Sequence, residues 1–77
     1  MTSVIIEKSE LEELINYKLR NIQKEISKIL ERWNETSADQ FIQKAQNGYY
    51  EEAENDAIDI KQLIIEQKRL IERKNNL

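Results

Sequence analysis

Glu52, Asp56 and Asp59 fall at steps of four and three, which puts three carboxylates on one face of a helix. Hard oxygen ligands in that pattern suit magnesium, provided a second carboxylate pair projects inward from a facing helix. Glu10 and Glu13 have the spacing for such a pair, but the pattern of Leu11, Leu14 and Ile15 turns both largely outward. A second constellation is the ridge Arg20, Lys24, Lys28 and Arg32, repeating every four residues. A cationic row of this kind neutralises phosphates and releases their counterions, so it reads as a possible nucleic-acid contact. The chain has no aromatic stacking platform beside that ridge, and its net charge is −3. Pairing of the ridge with the acids between Glu51 and Asp59, or its simple solvation, is therefore the favoured reading. There is neither Cys nor His, which excludes disulfides, thiolate chemistry, the usual zinc ligand sets and any imidazole base. No catalytic, metal or cofactor signature rises above background, and the expectation is a protein that is not an enzyme and carries no cofactor.

The elements that position these residues are helical. Pro is absent and Gly occurs once, so the turn residues that separate strands are missing. Ile15, Leu19, Ile22, Ile26, Ile29 and Trp33 recur at steps of four, three, four, three and four, a heptad seam of the coiled-coil kind. Ser9 followed by Glu12 has capping-box spacing, so the first helix is placed at 9–33. Asn34 to Ser37 form a polar break, and Ser37 with Gln40 repeats the capping spacing at the start of a second helix. At Asn47-Gly48 two readings stand. Gly48 ends the second helix and a third begins at Tyr49, or one helix runs from Ala38 to about Lys74. The continuous reading follows a drifting stripe through Ala38, Ile42, Ala45, Tyr49, Ala53, Ala57, Ile60, Ile64 and Ile71.

Charge blocks bear on the same choice. Residues 7–13 are acidic, 18–32 basic, 35–59 acidic and 61–74 basic. Folding the chain back about 34–37 sets each block against its opposite, and a continuous second helix achieves this directly. A turn at Gly48 is expected to lose part of the match. The cluster Lys68, Arg69, Arg73 and Lys74 suits the negative end of a helix dipole.

Three resemblances are local. Ala45-Gln46-Asn47-Gly48-Tyr49-Tyr50-Glu51-Glu52-Ala53 resembles the corner of a tetratricopeptide-type hairpin, without that family's upstream Trp-Leu-Gly positions or its repeat. It implies a turn at Gly48 and nothing about activity. Gln43 through Tyr50 partly resembles the peptide by which replication and repair proteins bind the sliding clamp, with Gln46 standing where that motif has an aliphatic residue. The carboxylates of the first paragraph resemble those with which all-α nucleotide pyrophosphohydrolases bind magnesium, which would imply a phosphate-cleaving enzyme.

The fold class expected from all this is all-α: an antiparallel helical hairpin or short three-helix bundle, dimerising into a four-helix-type bundle. The chain is divided into an apolar arm, 1–8, carrying Val4, Ile5 and Ile6, and a helical domain, 9–77. The apolar faces are wider than one hairpin needs, and a core of this size supplies little stability by itself. The sequence therefore points to a non-enzymatic protein–protein interaction module, either a homodimer or a small accessory subunit of a larger complex. Its expected interface is Leu11, Leu14, Leu30, Trp33, Tyr49, Tyr50, Ile58 and Ile65. The alternatives are a small nucleic-acid-associated protein using the Arg20–Arg32 ridge and, less favoured, the magnesium pyrophosphohydrolase. No small-molecule substrate is evident. No apolar run reaches the ~20 residues of a membrane span, and no targeting segment is visible, so the expected setting is cytoplasmic.

Overall fold

A computed structural model describes residues 7–77; the apolar arm residues Val4, Ile5 and Ile6 lie outside the described residues. Three helices follow in order: α1 (Lys8–Arg32), α2 (Ala38–Gln46) and α3 (Glu54–Asn75), and no strand occurs among the described residues. α3 runs antiparallel to α1. Residues 16, 23 and 33 of the first arm meet 74, 67 and 56 of the second through Lys74 Nζ to Asn16 Oδ1 (2.9 Å), Gln67 Nε2 to Gln23 Oε1 (3.5 Å) and Trp33 Nε1 to Asp56 Oδ2 (2.8 Å). The short α2 closes one end of this hairpin.

The α1 seam faces inward as its spacing requires. Ile15, Ile22, Ile26 and Ile29 are buried, with Leu19 and Trp33 packed at the edge of the same core. Across from it, α3 presents Asp56, Ile60, Leu63, Gln67, Leu70 and Lys74, again at steps of four, three, four, three and four. Ile60 is fully buried and Leu70 is buried, whereas Ile71 is 43 % exposed. The drifting stripe is thus corrected at Ile71, whereas Ile64 packs half-buried against the core. A heptad seam wraps slightly around the helix, and by its C-terminal end the contact has moved onto Leu70 and Lys74. Phe41 and Ala45 of α2 complete the core at the closed end, together with Ala53 and Ala57.

Both chain reversals are built from helix ends of one kind. At the end of α1, Asn34 takes φ 54°, its N–H reaches the Glu31 carbonyl, and the Glu35 N–H reaches the Leu30 carbonyl at 2.9 Å. At the end of α2, Gly48 takes φ 77°, its N–H meets the Ala45 carbonyl, and the Tyr49 N–H meets the Lys44 carbonyl at 2.9 Å. These paired bonds define Schellman ends, which satisfy carbonyls that a terminating helix leaves orphaned. Gly48 therefore terminates α2, and the continuous helix from Ala38 to Lys74 does not form. Because α2 is short, α3 still returns antiparallel to α1, but of the basic block 18–32 only Arg32 pairs with the acidic block among the described residues.

The helix starts differ from one another. The Ser37 hydroxyl accepts from the Gln40 N–H at 3.3 Å and caps α2 as its spacing indicates. Ser9 does not cap α1: the helix begins one residue earlier behind Glu7, with no side-chain cap. Ala53 precedes α3 without a cap and is buried, so Glu54 and Asp56 in the first turn supply the negative charge that the helix start favours.

Two substitutions test the connections. Gly48→Ala keeps open space around the new Cβ but forces an L-residue into the left-handed region, and should cost about 1 kcal/mol. Glu52 already sits there at φ 59°, so Glu52→Gly should change stability in the opposite direction, by up to ~1 kcal/mol. Thermal unfolding followed by far-UV circular dichroism reads both, and equal signs would contradict this account of the turn.

Candidate interaction site

The closed end of the hairpin carries the densest side-chain chemistry in the molecule. Trp33, at the end of α1, lies 5.7 Å from Phe41 of α2 and 5.0 Å from Tyr50 of the α2–α3 connection, centroid to centroid. Phe41 and Tyr50 are 5.8 Å apart, so three rings from three segments close a triangle. Such tilted contacts add to area burial because each ring edge meets a neighbouring π-face. Tyr49 meets Tyr50 edge-on at 4.9 Å but is itself 70 % exposed.

A polar network covers this triangle. The Glu35 side chain is only 7 % exposed and accepts from Lys44 Nζ at 2.7 Å. The Tyr50 hydroxyl donates to the same carboxylate oxygen and lies 3.2 Å from the Trp33 carbonyl oxygen. Lys44 Nζ also stands 5.3 Å from the Tyr49 ring centroid, within cation–π range. On the other flank, Asp56 accepts from the Trp33 indole and lies 3.6 Å from an Arg32 guanidinium nitrogen. No buried polar side-chain atom lacks a partner among the described residues. The Lys44 hydrogen bond, followed by that of Tyr50, holds the Glu35 carboxyl below its ordinary range against the opposing effect of burial. The same contact with Glu35 raises Lys44 and, together with burial, raises the Tyr50 phenol.

The residues expected at an interface divide into two groups. Trp33 and Tyr50 are committed to the internal cluster. Leu30 is buried at 7 % exposure, which corrects its place on the expected exposed flank: α2 folds back over that end of α1 and closes it. Leu11 is half-buried. Leu14 (52 %), Ile58 (50 %), Ile65 (53 %) and Tyr49 remain outside, joined by Tyr17 at 57 %, which the spacing of the seam did not flag. Along α3 these outward isoleucines lie two residues before the buried seam, which places them on the opposite side of the helix. The molecule is only 20 × 17 Å in cross-section, about two helix diameters, so no further layer covers that side.

The charged constellations fare differently. Of the ridge, Arg32 alone pairs with the acidic block; Arg20, Lys24 and Lys28 are exposed and form no ion pair among the described residues. Of the two expected arrangements, pairing with Glu51–Asp59 holds at Arg32 alone and the rest of the ridge is solvated, because it sits on the outer face of α1, away from α3. The carboxylates do not converge. Asp56 is engaged with Trp33 and Arg32 at the closed end, while Glu10 and Glu13 line a shallow surface with Leu14, Tyr17 and Arg20 toward the open end. Among the described residues no group of three or more acids is placed to hold a metal ion. The Gln43–Tyr50 segment is also unlike a free clamp-binding peptide, since its first half is helical and Tyr50 is held by Glu35.

Glu35, Lys44, Phe41 and Asp56 were missed as a group by sequence reasoning. Glu35 and Lys44 are nine residues apart across a helix start, a spacing with no helical periodicity to flag it. Phe41 did carry a signal, as an aromatic four residues before the buried Ala45. No helix among the described residues is long and apolar enough to cross a membrane. No known protein family matches the chain, and no curated protein or solved structure is similar to it.

The polar network makes stability depend on pH in a defined direction. A carboxyl with a lowered folded pKa contributes fully above its ordinary 4.5 and loses that contribution as pH falls through the depressed value. Lys44 and Tyr50, both raised, contribute fully below their ordinary 10.5 and 10.0 and lose it as pH rises through the higher folded values. Glu35→Gln should lower the melting temperature at neutral pH and flatten its fall below about pH 4.5. Melting curves from pH 7 to pH 3, read by near-UV circular dichroism of the ring cluster, check this. An acid limb identical in the two proteins would contradict the assignment to Glu35.

Proposed function

We propose that this chain is a non-enzymatic helical interaction module, working as a homodimer or as a small accessory subunit. The observation that carries this reading is the apolar area left uncovered on both long helices. Leu14, Ile58 and Ile65 keep at least half their area in water after the chain has completed its own seam and closed its own end. A chain of 77 residues has roughly 4–12 kcal/mol of total stability. Covering the exposed half of each of these side chains would add roughly 0.7–1.5 kcal/mol, so association is a sizeable gain on that scale. In the homodimer, two hairpins bring four long helices together in a four-helix-type assembly, since paired identical chains are the commonest solution for such a surface.

Mass measurement in solution across a dilution series tests the homodimer. The expected result is a mass of two chains at high concentration that falls toward one on dilution, with helicity retained. A constant single-chain mass at every concentration would remove the homodimer and leave the accessory-subunit reading.

One observation favours a second reading. Arg20, Lys24 and Lys28 are exposed and free of the acidic block, so they remain available to a nucleic-acid backbone. If they bind it, affinity for duplex DNA or RNA falls steeply with salt, and changing both Lys24 and Lys28 to Glu abolishes it. An absence of binding at 50 mM salt or below would remove this reading.

A further inference from the structure

The outward face of α3 reads as complementary to itself. Glu54, Ile58, Ile65 and Arg69 lie on it at steps of four, seven and four. Its apolar positions are symmetric about a point between Lys61 and Gln62, and its charges at the two ends are antisymmetric about the same point. An antiparallel copy of the same helix, related by a two-fold axis through that point, sets Ile58 against the partner's Ile65 and Glu54 against the partner's Arg69. The axis repeats each contact. Ile58 and Ile65 are 50 % and 53 % exposed, and Glu54 and Arg69 are exposed and form no ion pair among the described residues. Glu54 and Ile58 border the end of α2 at Ala45 and Gln46, and Arg69 borders Lys18 of α1, but none of the four is held by an ion pair among the described residues.

A parallel arrangement does not work as well, because it places Glu54 beside Glu54 and Arg69 beside Arg69. The antiparallel arrangement also sets the helix dipoles head to tail. At the axis itself Lys61 lies near its own copy, where its long side chain lets the ammonium group turn into water. Charges arranged this way fix orientation and register, while the isoleucines supply the attraction.

We infer that a second copy of this chain docks on the outward face of α3, with α3 antiparallel to α3 through Ile58–Ile65 and Glu54–Arg69 contacts. The inference rests on the self-association reading above and specifies the face used. The two α3 helices then form the centre of the assembly and the two α1 helices its outside.

Charge reversal with rescue tests it on the full chain. Glu54→Arg and Arg69→Glu each place like charges across the axis, so each variant should run as a single chain at concentrations where the parent is a dimer. Mixed in equal amounts, the two variants should recover the mass of two chains. At one end of that mixed pair the two substituted positions meet with opposite charges, and at the other the unchanged Arg69 of the first variant meets the unchanged Glu54 of the second. Far-UV circular dichroism of each variant should keep the parent's helical signal, because both positions are exposed. Single variants that remain dimers, or a mixture that remains monomeric, would overturn the docking face while leaving self-association intact. A parent chain that is monomeric throughout the dilution series would overturn the self-association reading and this inference with it.

Discussion

Trp33 is the side chain on which the chain reversal depends. It is the last position of the α1 seam, and its ring closes against Phe41 from α2 and Tyr50 from the connection that follows. Its indole N–H reaches Asp56 in the first turn of α3, and its carbonyl lies beside the Tyr50 hydroxyl. One residue thus touches every segment that must be brought together before α3 can return along α1. A helix of nine residues such as α2 is marginal alone, because nucleation fixes several residues for one hydrogen bond. The apolar face that Phe41 and Ala45 give to Trp33 offsets that cost, and the Glu35–Lys44 bond ties the start of the linker to the last turn of α2. Remove the ring from the end of α1, and α2 keeps little to hold it in place.

Away from the closed end, the α1–α3 contact is unusual in placing polar residues on its seam. Three of the six α3 seam positions are Asp56, Gln67 and Lys74, and each finds a hydrogen-bond acceptor or donor on α1 or at its end. An all-isoleucine seam would gain more from burial but would tolerate sliding by a heptad, since each layer would resemble the next. Polar pairs at particular layers penalise such shifts, because a displaced Asp56 or Lys74 would face isoleucine. The Gln67–Gln23 contact at 3.5 Å is the weakest of the three, and it lies between two firmer ones near the ends. Register is therefore held at the ends of the hairpin and filled with isoleucine between them.

The same polar positions explain what was legible in the sequence. The α1 seam was readable because all six of its positions are apolar. Its partner on α3 was not, because half of its positions are polar and the exposed isoleucines at 58, 65 and 71 make a competing pattern. That competition led to Ile71 in place of Leu70. The break at 34–37 and the Ser37 cap were legible from local chemistry, since a hydroxyl three residues before an orphan N–H needs no tertiary context. The Gly48 reversal was half-legible. A glycine marks a position that tolerates positive φ, but whether the chain uses it depends on packing, here on Ala53 and Ala57 being small enough to enter the closed end. The Glu35–Lys44–Tyr50 network was illegible because its members meet only after that reversal.

The division of α3 into two faces follows from this arrangement. Its inner face is specified by polar partners on α1, so its isoleucines need not all serve folding. Ile58 and Ile65 stand two residues away from Ile60 and Gln67 of the seam, and that offset is close to half a helical turn. Folding within the chain cannot reach them from α1, and α2 ends before Ile65: nine residues extend about 13 Å against about 33 Å for the 22 residues of α3. Exposed isoleucine singly is ordinary, since much of any protein surface is apolar. Two on one stripe, with opposite charges at equal steps beyond them, are what the proposed antiparallel pairing rests on. The polar seam and the outward stripe thus divide the helix: one side is matched to α1, and the other keeps Ile58 and Ile65 in water.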